Sequence, residues 1–335
     1  MLTEKQNYLE TIRYGKPDRL VVQWGPLTPV MIDPCAKFVR GNRIKGTNSI
    51  DRWGTHIHWP EDQFAAMPHI TEETKVVKDI TRWREYTKVP DIIAAGANPA
   101  DWEPAKELIA SMDKETQLSM CFMGTGMFEQ MHYLMGFEDT LVNMLVEPEA
   151  TDDLLEAIFQ FRCAYAQQLV DNLKPDAILS HDDWGSKTKL FMRPETWRAF
   201  FKERYRKFYK IFKDAGCIVI HHADSFCEEI VEDMAEIGID VWQGVLCQND
   251  IPKMQKLVHG RMAFMGGLDS AIVERRDMSE EDIRKEVRRA LDEYMPGGGY
   301  IATLPSGLKN SSMVPGVDAT IDDEIIKCNA KFFPG

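Results

Sequence analysis

From residue 117 onward the chain repeats one pattern, a short run of small and β-branched apolar residues followed by a longer stretch with helical spacing. Strand-like runs fall at Gln117–Met123, Ala177–Ser180, Cys217–Ile220, Ile239–Gly244, Met262–Met265 and Tyr300–Thr303. Between them, Leu154, Leu155, Ile158, Phe161 and Tyr165 recur at three-to-four spacing in a helix starting near Thr151. Arg193 to Ala215 reads as helical, with shorter helices over 225–237 and Pro252–Val258. Ser279 and Asp282 resemble a capping box ahead of the stripe Ile283, Val287, Ala290, Leu291 and Tyr294, which Pro296-Gly297-Gly298-Gly299 ends. A closing helix is expected from about Asp322 to Phe332. Runs that are apolar on both faces are what parallel strands need when helices cover the sheet. Seven or eight such units at this spacing predict a (β/α)8 TIM barrel over residues 1–335, rather than an open doubly wound sheet. Residues 1–115 lack a sustained period; they read as including an irregular N-terminal layer over the barrel, with a strand at Leu20–Trp24 ending at Gly25-Pro26.

Polar residues collect where these strands end, and barrel active sites are built from those ends. His181-Asp182-Asp183, His221-His222-Ala223-Asp224, Gln243 and Asp269 all occupy such positions. In Cys217-Ile218-Val219-Ile220-His221-His222-Ala223-Asp224, alternation places His222 and Asp224 on one face and turns His221 to the other. An imidazole and a carboxylate on one face can bind a metal or move a proton. His56 and His58 also alternate, but no acidic or thiol ligand lies at suitable spacing, so they read as packing residues. Gly297-Gly298-Gly299 is followed by no lysine and opens no helix, so it reads as a turn rather than a phosphate cradle.

A formal charge of −13 argues against a nucleic-acid partner. No apolar run approaches the ~18 residues of a membrane span, and the polar Met1–Asn7 lacks the core of a signal peptide. The seven cysteines form no CxxC and read as reduced thiols of a cytoplasmic protein.

Asp182-Asp183-Trp184-Gly185, His222-Ala223-Asp224, Gly238-Ile239-Asp240-Val241 and Gly266-Gly267-Leu268-Asp269 carry a resemblance to the uroporphyrinogen decarboxylase superfamily. It extends from Lys16-Pro17-Asp18-Arg19 to Gly297-Gly298-Gly299-Tyr300 and implies a (β/α)8 barrel. The superfamily holds decarboxylases and cobalamin-dependent methyltransferases, including aryl-ether O-demethylase components. The decarboxylases carry an arginine-rich stretch for the substrate's carboxylates, and Val21-Val22-Gln23-Trp24-Gly25-Pro26-Leu27 in its place has no arginine. The resemblance to the methyltransferases implies a zinc site: their His-x-Cys pair falls on His222 and Asp224, and their distant cysteine near Ser306. Cys247 is the nearby thiol placed as a third ligand, or is a core residue. Carboxylate for thiolate makes a harder site, suited to polarising an ether oxygen. The function so implied is transfer of a methyl group from a methoxylated aromatic to the Co(I) cobalamin of a separate corrinoid protein. Asp182, Asp183 and His221 are the candidates for protonating the leaving group, and Trp24, Trp184, Trp242 and Gln243 for holding the substrate. The reading also allows a homodimer. The alternatives are a decarboxylase of a small carboxylic acid or porphyrinogen, or a non-catalytic family member.

Overall fold

The computed structural model describes all residues except 42, 64, 309–311, 313 and 335. Its centre is a curled sheet of seven parallel strands: β1 (Leu27–Val30), β5 (Leu118–Met123), β6 (Ala177–His181), β7 (Ile218–His222), β8 (Val241–Val245), β9 (Ala263–Gly267) and β10 (Tyr300–Thr303), in that spatial order. Helices connect them, the longest being Pro148–Leu173 and the clearest Glu280–Tyr294, which does open with the Ser279/Asp282 capping box. This is the (β/α)8 class expected from the strand–helix rhythm. A small antiparallel sheet of β2 (Asn48–Ile50), β3 (His56–His58) and β4 (Met67–Pro68) belongs to the N-terminal layer. Among the described residues no helix is long and apolar enough to cross a membrane, and all seven cysteines are free.

Alternation along each strand divides the core in two. Leu118, Met120, Ala177, Leu179, Ile220, Val241, Ala263, Met265 and Ile301 form the barrel interior, while Cys121, Ile178, Val219, Trp242, Phe264 and Tyr300 face the helices. Register carries this division to the rim. His181, His222, Gln243, Met265 and Ile301 are successive partners in one inward row, and Ser180, His221, Trp242, Phe264 and Tyr300 in the outward row next to it.

The strand expected at Leu20–Trp24 is absent, and β1 starts at Leu27. Gln23 (φ 44°) and Gly25 (φ 48°) adopt left-handed conformations that break an extended run. Val21 and Trp24 instead pack with Tyr8 and Ile12 of the first helix against the barrel interior. Their apolar pattern reports burial under the sheet and not membership of it. Tyr14 anchors this segment by donating its hydroxyl to the Met262 carbonyl at 2.7 Å.

Candidate active site

The inward row ends in two histidines from adjacent strands. His181 closes β6 and His222 closes β7; they are register partners whose rings meet edge to face with centroids 4.5 Å apart. Asp183, two residues beyond His181, turns back towards them. One ligand atom from each of His181, Asp183 and His222 lies within 4.8 Å of the others. Each side chain is held from behind. Gln243 accepts from His222 Nδ1, which assigns the proton to Nδ1 and leaves the Nε2 lone pair for another partner. Asp183 Oδ1 accepts from the Asp224 amide at 3.0 Å and the Ser225 hydroxyl at 3.1 Å, while Oδ2 faces His181 Nε2 at 3.4 Å. The buried Glu129 approaches the same His181 nitrogen at 3.5 Å.

The charges in this cluster oppose burial. Desolvation works against a charged His181, but Glu129 and Asp183 outweigh it and hold the imidazole well above its ordinary value. His222 is pushed down to about 4 by burial and by the neighbouring His181 charge. Asp183 also resists burial: its bond to His181 holds the carboxyl well below the usual range. Asp224 is raised to about 7 by burial and by the nearby Asp183. The cluster thus presents carboxylates that demand a positive partner, either an imidazolium or a divalent cation.

Behind the row stands a layer with its hydrogen bonds complete. Asp182 is fully buried and accepts from the amides of Phe128 (3.0 Å) and Glu129 (2.9 Å), from Trp184 Nε1 (3.0 Å) and from the Tyr205 hydroxyl (2.5 Å). It therefore caps the helix Met127–Met135 from another strand and orients Glu129. Gly126, at the helix start, is required because a Cβ there would collide with Asp182. His221 accepts from the Tyr209 hydroxyl at 2.7 Å, donates to the Asp182 carbonyl at 3.1 Å, and stacks on Trp184 with centroids 4.1 Å apart. Burial pushes its pKa far down and keeps it neutral.

Asp183 also lines a cleft of about 520 Å³ at the carboxyl ends of the strands, together with Lys187, Phe191, Asp224, Cys247 and Asp269 among others. Of the three residues expected as metal ligands, His222 lies in the triad, and Asp224 and Cys247 line the cleft beside it. Burial and Asp269 push the Cys247 thiol up to about 11. Of the expected acids, Asp183 is in the triad and Asp182 and His221 are in the layer behind. Gln243 serves His222. Trp24 is in the barrel interior, and Trp184 and Trp242 in the outer core, all buried.

The sequence placed His181 among the strand-end polar residues without giving it a role, and did not point to Glu129. His181 carried a usable signal, because it has the inward parity of His222. Glu129 carried none, since its place depends on a helix capped by a residue 53 positions away.

The family model of uroporphyrinogen decarboxylase (URO-D) matches residues 50–322. The chain belongs to the uroporphyrinogen decarboxylase family. The matched span contains Glu129, His181, Asp183, His222 and Gln243, and excludes the segment before residue 50. Among solved structures, a methyltransferase from Methanosarcina mazei shares the fold with a TM-score of 0.70 at 16% identity, covering 99% of this chain and 100% of its own. No curated protein matches the chain.

Proposed function

We propose that this family member is the substrate-activating methyltransferase of a corrinoid-dependent demethylating system, taking the methyl group of a methoxylated aromatic to Co(I) of a separate corrinoid protein. The observation that carries this reading is the His181–Asp183–His222 triad, whose Asp183 also lines an open cleft on the barrel rim. The likeness to a methyltransferase fold is consistent with it. Two imidazole nitrogens and one carboxylate oxygen, with the second nitrogen of His222 tied to Gln243, suit a divalent metal such as zinc. Bound there, the ion supplies a Lewis acid for the ether oxygen.

The chain's own residues do the rest. Gln243 holds the tautomer of His222, and Glu129 and Asp183 orient His181. Phe191 offers the cleft an aromatic wall. As the methyl carbon leaves oxygen and joins cobalt, Co(I) becomes Co(III) and the C–O electron pair stays on the phenolate. Asp224, which lines the cleft together with Asp183, is placed to deliver the proton that makes the product a phenol. Asp182 and His221 act by positioning.

Mixing the protein with a Co(I) corrinoid protein and a panel of methoxyarenes tests the proposal. Methylcobalamin should appear in the absorption spectrum together with the free phenol. Release of carbon dioxide from a small aromatic acid or a porphyrinogen, without methyl transfer, would establish the decarboxylase alternative instead.

A further inference from the structure

A second cavity lies where the N-terminal layer meets the end of β5 and the helix Pro148–Leu173. It measures about 40 Å³, which is room for about three waters or one small ion and not for a ring. It shares no lining residue with the cleft or the triad, so it is a separate site. The charged side chains around it are Arg40, Arg43, Arg162 and Asp51, with Gln130 beside them. Three guanidinium groups and one carboxylate give this wall a formal charge of +2, in a chain whose net charge is −13.

Three N–H donors of this lining end without a partner. Arg43 Nε, Arg162 Nε and Gln130 Nε2 are all buried and make no hydrogen bond. Arg162 is only 2% exposed and Gln130 5%, so bulk water does not satisfy them. The other nitrogens of Arg162 are engaged, donating to the carbonyls of Gly124 and Thr125 and to the Ser180 hydroxyl. Asp51 Oδ1 accepts from the amides of Trp53 and Thr55, both at 2.9 Å. Arg40 sits over the Phe122 ring with its guanidinium carbon 5.6 Å from the centroid, and neither Arg40 nor Arg43 makes an ion pair among the described residues. Burial, and then the like charge of Arg40, pull Arg43 down to about 10. Buried donors left unmatched are costly, and charged ones most of all.

We infer that this cavity binds one small monovalent anion of the size of chloride, held by Arg43, Arg162 and Gln130 with Arg40 adding charge. Its volume, its three unmatched donors and its excess of positive charge all ask for the same occupant. Water could accept from these donors, but it would leave the charge of the wall uncompensated and bring hydrogens of its own to place. An anion accepts at every point and donates nothing. The site also joins two parts of the chain. Arg40 ends the helix Pro34–Arg40 and Arg43 follows it, both ahead of the span that the family model matches. Gln130 and Arg162 stand on the helices Met127–Met135 and Pro148–Leu173 within that span. A bound anion therefore ties the N-terminal layer to the barrel. This inference stands on the cavity alone and does not depend on the methyl-transfer reading.

Thermal unfolding of the full chain in chloride and in gluconate, which is too large to enter, tests it at constant ionic strength. Replacing gluconate by chloride should raise the melting temperature by a few degrees, growing with the logarithm of chloride concentration, as for a ligand bound by the folded state alone. The protein should also broaden the chloride-35 NMR line, and bromide should reverse the broadening by competition. Arg43→Gln should weaken chloride binding by ~10- to 100-fold, the range for hydrogen bonds to a charged group. In gluconate that variant should melt no lower than the wild type, because an unpaired cation has been removed. Gln130→Leu should also weaken chloride binding, and it carries the test if Arg43→Gln does not fold. Equal melting in chloride and gluconate with no line broadening would mean that the cavity holds water only. A chloride effect of the same size in the wild type and both variants would be a general action of salt. Either result would overturn the site.

Discussion

His221 and His222 are neighbours in the chain and opposites in circumstance. His221 points outward, where Tyr209, the Asp182 carbonyl and the Trp184 ring occupy both nitrogens and one face. His222 points inward, where Gln243 holds one nitrogen and the other is left among His181 and Asp183. Asp182 and Asp183 repeat the contrast one strand away: four donors surround the first, while the second keeps an oxygen turned towards the triad. Residue type is the same on the two sides of the sheet, so type does not decide which side does chemistry. What decides it is whether the hydrogen-bonding capacity is used up. A completed network rigidifies, and an incomplete one beside a cleft can take a ligand.

Substitutions on the two sides should therefore separate activity from stability. The largest effect is expected for His222→Ala, which removes a triad member without disturbing the layer behind. Methyl transfer should fall by ~10³-fold or more, the several kcal/mol of a lost Lewis acid, while the melting temperature stays near that of the wild type. Asp182→Ala should do the reverse in origin. It removes the cap of the helix Met127–Met135 and four hydrogen bonds, so urea denaturation should show a loss of about 3 kcal/mol. If Asp182→Ala were as stable as the wild type yet inactive, the division between the two layers would fail.

Gln243→Leu probes the contact between ring and support. Losing the partner that fixes the His222 tautomer should weaken metal binding by ~10- to 100-fold, measured by chelator competition. The smallest effect is in the pH dependence of stability. His221 and His132 are buried and their folded pKa values lie below the unfolded value of ~6.5, that of His132 at about 4. The unfolded chain then binds protons that the folded chain refuses, so stability is full above ~6.5 and falls as the pH drops towards those depressed values. Each histidine contributes a slope of up to ~1.4 kcal/mol per pH unit. His221→Phe should flatten the curve by about one proton, and an unchanged slope would mean that His221 is not held neutral by burial.

The barrel was legible because it depends on local patterns that repeat. β5 to β10 lie within one or two residues of the expected runs, and the capping box at Ser279 marked its helix correctly. Leu20–Trp24 misled because a segment buried beneath a sheet has the same apolar composition as a strand, and the breaking conformation fell on Gln23, a residue with no turn preference. At the rim, alternation correctly separated His221 from His222. It did not extend to Asp224, which lies beyond the strand, where backbone direction is set by the loop and not by the pleat. His181 was obscured by the more conspicuous aspartates beside it. Glu129 reaches its place through tertiary packing, and no spacing rule within the chain leads to it.

Elemental analysis distinguishes the His181–Asp183–His222 triad from Asp224 and Cys247 as the holder of the metal. Protein purified without chelator should carry about one zinc or similar divalent ion per chain. His181→Ala, Asp183→Ala and His222→Ala should each be depleted, and Cys247→Ser should retain the full content. Metal lost from Cys247→Ser but kept in His181→Ala would transfer the site to Cys247 and Asp224, and full methyl transfer by metal-free wild type would leave the triad without a metal role.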